Sequence, residues 1–384
     1  MAVQRLAQLP GFGIDRVAAA AGDDPDVLRL ENLDTDIPPP ADVIAATRAA
    51  IGEDEANSWL PFTGRDDLKD AVATSIERRG GPRYDGGREI VIVPGEGVAM
   101  LDALYAVTDP GDEVILTDPT YAGMLNRVRL VGAVPRLVPL RVVDGWWRLD
   151  IDALRAAVTN RTRALFINNP SFPSGWVASH DEWQAIAEVA TSRDLWLVYW
   201  AGFEGVLFDG REVIHPASLP GMRDRTLTVG DVNAEQRMIG WRVGWLVSPG
   251  DLVDDASRVH IYTGLLASGF AQIGARVALD QPPEDLAAAN AEWQRRRDET
   301  LRQLMGLPVV AAAGGWSLLL DVAALGFDCV DVSNRLLEQK VAATPMRGWG
   351  GDVAGRHVRF VFSNEPVDRL ALLGERLRRA LALG

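Results

Sequence analysis

Apolar and polar positions fall into a repeating order from about residue 64 onward. Short apolar runs bounded by turn residues lie at Glu89–Val93, Glu113–Thr117, Ala164–Asn168, Leu195–Trp200 and Thr226–Val229. Runs of this length predict buried strands. Helical stretches separate them, the first near Arg65–Arg79 and the next starting near Gly97. Strands alternating with helices predict an α/β fold with a mostly parallel sheet flanked by helices.

The pattern changes further along. A long helical region covers roughly 266 to 305, followed by strands near Trp316–Asp321 and His357–Phe362 that alternate with helices near 329–339 and 367–382. This predicts a smaller C-terminal α/β domain. The expected division is an arm over residues 1–45 that packs with the small domain, a large domain over 46–280 and a small one over 281–384. Pro38, Pro39 and Pro40 make a rigid link between arm and body. In open parallel sheets, ligands sit beyond the carboxyl ends of the strands. The informative segments are therefore PGEGVAM, DPTYAGM, NNPSFPSG, YWAGFE and GDVNAEQRMIGWRVG.

Composition narrows the chemistry. The chain has 384 residues, 47% of them hydrophobic, and a formal net charge of −14. An excess of acid repels phosphate backbones and anionic lipid, which argues against nucleic acid or membrane partners. Cys329 is the only cysteine, so no internal disulfide forms, and His180, His215, His260 and His357 show no ligand spacing. No metal is expected. The N-terminal stretch lacks an apolar segment of signal-peptide length and no run of about 18 apolar residues occurs, so the cytoplasm is the expected location. Of 39 basic residues only Lys69 and Lys340 are lysines.

The loops named above, in that order, resemble those of the class I/II aminotransferases, the fold-type I pyridoxal phosphate enzymes. GWRVGWLVSP, DPTYAGMLNRVRLVGA and VRFVFSNEP carry much of the likeness, which runs from about residue 30 to 380. Such an enzyme uses a lysine for an imine to the coenzyme aldehyde, an aspartate against the pyridine nitrogen and an asparagine on the ring hydroxyl. Small hydroxyls and an arginine hold the phosphate, an aromatic ring stacks on the coenzyme, and a C-terminal arginine forks onto the substrate carboxylate.

Several of those parts are replaced. Alignment to the motif puts Ala234 in the lysine position, Trp200 in the aspartate position and Phe172, after Asn169, in the asparagine position. Glu96 and Asp231 stand where phosphate-binding hydroxyls are usual, while Arg242 is retained. A carboxylate about 4 Å from another anion costs about 4 kcal/mol at an effective dielectric of about 20. Arg242 is thus expected to pair with Asp231 or Glu96. Tyr121, Arg359 and Tyr262 match family positions for ring stacking, carboxylate binding and the active-site rim.

Three readings follow. In the first, the scaffold works with no cofactor on a small, partly planar or aromatic carboxylate. Tyr121 and Trp200 sandwich its body, Glu96, Asp231 or Tyr121 serves as acid or base, and Arg359, Tyr262, Arg242, Phe172 and Asn169 bind it. Tryptophans in cleft loops, among them Trp59, Trp176 and Trp316, favour an aromatic or cationic ligand. In the second, the chain is an ordinary aminotransferase captured as a lysine-to-alanine variant at 234, with pyridoxal phosphate as its cofactor. In the third, it binds a metabolite or partner without turnover. The resemblance also implies a homodimer.

Overall fold

The computed structural model describes residues 6, 9 and 13–383. Fourteen strands appear among them. In chain order they are β1 (Leu28–Arg29), β2 (Ile90–Val93), β3 (Glu113–Asp118), β4 (Val134–Val143), β5 (Trp146–Leu149), β6 (Thr162–Asn168) and β7 (Trp196–Trp200). Then come β8 (Thr226–Asp231), β9 (Gly244–Val247), β10 (Val309–Val310), β11 (Ser317–Asp321), β12 (Val341–Ala342), β13 (Thr344–Pro345) and β14 (His357–Val361).

Eight of these form one sheet in the order β2-β9-β8-β7-β6-β3-β4-β5. Its centre is parallel: β8, β7, β6, β3 and β4 run together. Strand β9 runs antiparallel between β2 and β8, and β5 folds back on β4 as a hairpin. β2, β3, β7 and β8 are buried along most of their length, as continuous apolar runs require when helices cover both faces. The parallel sheet predicted from the strand rhythm is therefore present, with β9 and the β4–β5 hairpin added.

A second sheet, β10-β11-β14-β13, is antiparallel. Short strand β1 pairs with β12 in parallel, and the Val361 amide donates to the Leu30 carbonyl, so the segment around Leu28 is stitched to the C-terminal part. The helical region expected as one piece over 266–305 is two helices, Gly269–Leu279 and Pro283–Gln303. Pro282 and Pro283 explain the break. Proline favours a helix start and restricts the residue before it. No helix among the described residues is long and apolar enough to cross a membrane, and no group of three or more His, Cys, Asp or Glu among them is placed to hold a metal.

Candidate functional site

The carboxyl ends of β3, β6, β7 and β8 open on one cleft. Asn168 ends β6; its side-chain amide donates to the Trp200 carbonyl and its oxygen accepts the Phe172 amide, so the loop 169–176 is tied to the end of β7. Asp118 ends β3 and accepts the backbone amides of Val353 and Ala354, pinning the helix start beside Trp349. Asp231 ends β8.

Aromatic rings fill the middle of the cleft. Tyr121 stacks on Trp200 with ring centroids 5.2 Å apart and a 37° tilt. Tyr121 also meets Phe172 at 5.9 Å and Trp349 at 6.3 Å, and Trp200 meets Phe203 edge-on at 5.9 Å. The planar body expected between Tyr121 and Trp200 has no room there, because the two rings contact each other. The indole Nε1 of Trp200 donates to Asp231 Oδ2 at 3.0 Å. Gly202 is required at this point: a Cβ on it would lie 2.5 Å from that nitrogen and 2.6 Å from that oxygen.

Arg242 pairs with Glu96 at 3.0 Å, one of the two carboxylates expected for it. Asn233 Nδ2 donates to the same Glu96 oxygen at 2.7 Å, and the Asn233 backbone amide donates to Asp231 Oδ1 at 2.8 Å. Gly95, at φ 87°, lets the Arg242 guanidinium lie against the turn; a Cβ there would be 2.5 Å from Nη2. Burial, and then the neighbouring Glu96 charge, push the Asp231 carboxyl up to about 7. The Tyr121 hydroxyl is raised by burial as well.

Arg359 lies at the other end of the cleft, fully buried on β14. Its guanidinium sits 4.7 Å from the ring centroids of both Phe172 and Trp349. Nη2 donates to the Glu31 carbonyl and to Thr344 Oγ1, whereas Nε and Nη1 have no hydrogen-bond partner in the protein. Burial, only partly offset by the nearby Glu31 charge, pulls its pKa down to about 9, so it remains a cation at neutral pH.

The structure thus brings together Glu96, Tyr121, Phe172, Trp200, Asp231, Arg242 and Arg359. Asn169 is buried behind them, its amide donating to the Trp176 carbonyl at 3.3 Å. Tyr262 stands apart at 90% exposure, and Trp59 is also on the surface. Trp176 and Trp316 are core residues, Trp316 packing against Trp293 at 5.0 Å. Sequence reasoning missed Trp349, Phe203 and Thr344. Trp349 lies in a Gly-rich stretch, Arg347-Gly348-Trp349-Gly350-Gly351, whose glycines were the available signal.

Residues 26–371 match the family model described as aminotransferase class I and II. The chain is 31% identical to the arginine–pyruvate transaminase of Pseudomonas aeruginosa, over 89% of this chain and 87% of that protein. It is 33% identical to a probable N-succinyldiaminopimelate aminotransferase of Mycobacterium tuberculosis, over 88% and 90% of the two chains. Among solved structures, N-succinyldiaminopimelate aminotransferase from M. tuberculosis superposes with a TM-score of 0.93 at 30% identity, covering 100% of both chains. A Thermus thermophilus aspartate aminotransferase variant superposes at 0.91 with 27% identity, covering 99% of each.

These matches correct the expectation that no cofactor serves the chain: the matched family is one of pyridoxal phosphate enzymes, and that coenzyme is the one to expect. The side chains present do not fit it in its usual lysine-bound form. Position 234 carries a buried methyl group. Lys69 is bound to Asp66 at 2.7 Å, and Lys340 to Asp24 at 2.5 Å. The indole of Trp200 stacks on the ring-stacking tyrosine itself, and Glu96 neutralises the phosphate-side arginine.

Proposed function

The chain belongs to the class I and II aminotransferase family, and from that premise we propose an enzyme that acts on a small carboxylate-bearing substrate held by Arg359. The observation that carries this reading is a buried guanidinium with two unpartnered nitrogens facing aromatic walls. An unpaired buried cation is costly, and a bidentate carboxylate would satisfy both nitrogens. Phe172 and Trp349 would shield that pair from water and suit a partly aromatic body. Proton transfer falls to Asp231 and Glu96, which share Asn233, Asp231 also holding the Trp200 indole. Alanine at 234 offers no amine, so any pyridoxal phosphate held by the unmodified chain would be bound without an imine to that position. The molecule works as a homodimer, with Tyr262 on the shared face.

A second reading is favoured by the extent of the matches: an ordinary pyridoxal phosphate-dependent aminotransferase whose lysine is replaced by Ala234. Thirty per cent identity to an aminotransferase structure over the full length of both chains supports it.

One experiment separates the two. Ala234→Lys protein is supplied with pyridoxal phosphate and assayed for imine absorbance and amino transfer, while carboxylate binding to the unmodified chain and to Arg359→Leu is followed by calorimetry. Our reading expects no efficient amino transfer from the lysine variant, and a loss of roughly 2–5 kcal/mol of carboxylate affinity in Arg359→Leu. Robust transamination by Ala234→Lys establishes the second reading. An unchanged affinity in Arg359→Leu removes the carboxylate grip.

A further inference from the structure

Asp231 faces two ways. Its cleft side meets Trp200, Asn233, Glu96 and Arg242. It also borders a small cavity of about 20 Å³ beneath the sheet end, shared with Thr228, Glu204, His215, Arg79 and Gln236. Buried polar atoms that have no hydrogen-bond partner in the protein occur on three of these residues: Thr228 Oγ1, His215 Nε2 and Gln236 Oε1. His215 Nε2 stops 4.0 Å from Glu204 Oε1, beyond a direct hydrogen bond.

The surrounding charges are already arranged. Arg79 pairs with Glu235 and lies 3.7 Å from Glu204. Glu204 accepts from the Tyr199 hydroxyl at 2.8 Å, and Glu235 accepts from the Gly205 amide at 2.6 Å. Ser75, Arg79, Glu235, Gln236 and Leu279 also line a larger, open pocket of about 340 Å³ between the helices Asp66–Arg78, Gly269–Leu279 and Pro283–Gln303. None of the cleft side chains lines that outer pocket.

We propose that the inner cavity is a built water site, and that its water links Asp231 to the outer pocket as a proton route separate from the substrate cleft. The volume suffices for about one water molecule, and such a water needs two to four polar partners, which the three unpartnered atoms and the carboxylates supply. Three orphaned buried polar atoms on the residues around one void would be costly, whereas one shared water can satisfy them together. His215 is neutral here because burial pulls its pKa down, so Nε2 and Nδ1 divide donor and acceptor roles. Nδ1 already accepts the Ala217 amide at 3.3 Å, which leaves Nε2–H to donate toward the cavity. The route ends on a group whose carboxyl is pushed up to about 7 by burial and by Glu96, so it exchanges protons near neutrality.

The water site is independent of the reaction proposed above; only its use in turnover rests on that reading. It is therefore tested without turnover. A crystal structure that resolves ordered water should show one within hydrogen-bond distance of both His215 Nε2 and Thr228 Oγ1, and a dry cavity overturns the inference. Exchange of the Trp200 indole proton, which is bonded to Asp231, is read by nitrogen-15 NMR with Trp200→Phe for assignment. In Thr228→Val or His215→Phe the rate should fall by about tenfold or more while the indole chemical shift holds. Unchanged exchange in a folded variant overturns the route; should the variants fail to fold, the density in the unmodified protein decides.

Discussion

Asp231 shows how one residue gathers several constraints. It ends a buried strand, accepts from the Trp200 indole and the Asn233 amide, and lies near Glu96. A carboxyl whose folded pKa is raised binds more protons folded than unfolded between its ordinary value of 3.8 and about 7. Its contribution therefore falls as pH rises through that window, the opposite of a salt-bridged carboxylate. Asp231→Asn removes the titration. From pH 4 to pH 8 the variant should gain on the order of 1–3 kcal/mol relative to the parent, measured as the difference in denaturant unfolding free energies. An equal difference at both pH values would show that Asp231 binds protons equally in the folded and unfolded chain. The sequence located Asp231, Glu96 and Arg242 because their motifs have ordered neighbours. It did not disclose that Tyr121 and Trp200 would stack directly, since motif order carries no information on where a side chain points.

At the scale of elements, the strands were legible because buried parallel strands are short, apolar and bounded by turns. Strand β9 was not read, because Gly244–Val247 directly follows a turn in which Arg242 takes a left-handed conformation at φ 54°. Helix starts depend on side chains that tertiary contacts then reuse. Ser179 and Glu182 form a capping box at the helix His180–Ser192. Glu182 also accepts the Leu149 amide at 2.5 Å and the Trp176 indole at 3.3 Å, so one buried carboxylate joins the helix, the β5 end and the cleft loop. Ser179→Ala should cost about 1 kcal/mol, the ordinary price of a lost cap. Glu182→Ala should cost more, about 2–4 kcal/mol, because it leaves several buried donors unmatched. Unfolding in urea compares them, and equal losses would reduce Glu182 to a capping residue alone.

At the scale of the molecule, apolar side chains from the sheets and their covering helices build the main core, yet some large apolar groups remain outside. Trp59 is 71% exposed and Tyr262 is 90% exposed. Tyr262 lies in the last turn of the helix Leu252–Thr263, and Trp59 follows Ala56, whose backbone a Cβ on Gly269 would touch. An open concavity of about 510 Å³, lined in part by Gly97, Arg127, Arg242 and Thr263, borders the same region and leads to the Glu96 side of the cleft. Composition could not reveal this face, because it depends on which aromatic residues folding leaves uncovered. Large aromatics at the centre of an interface typically supply much of its binding energy. If this face joins two copies, the unmodified chain sediments as a dimer. Trp59→Asp and Tyr262→Asp should then each raise the dimer dissociation constant by at least about tenfold, while unfolding midpoints of the separated chains stay close, as expected for exposed sites. A monomer at micromolar concentration, or variants that dimerise as tightly as the parent, would place the partner-facing surface elsewhere and leave Tyr262 outside the shared site.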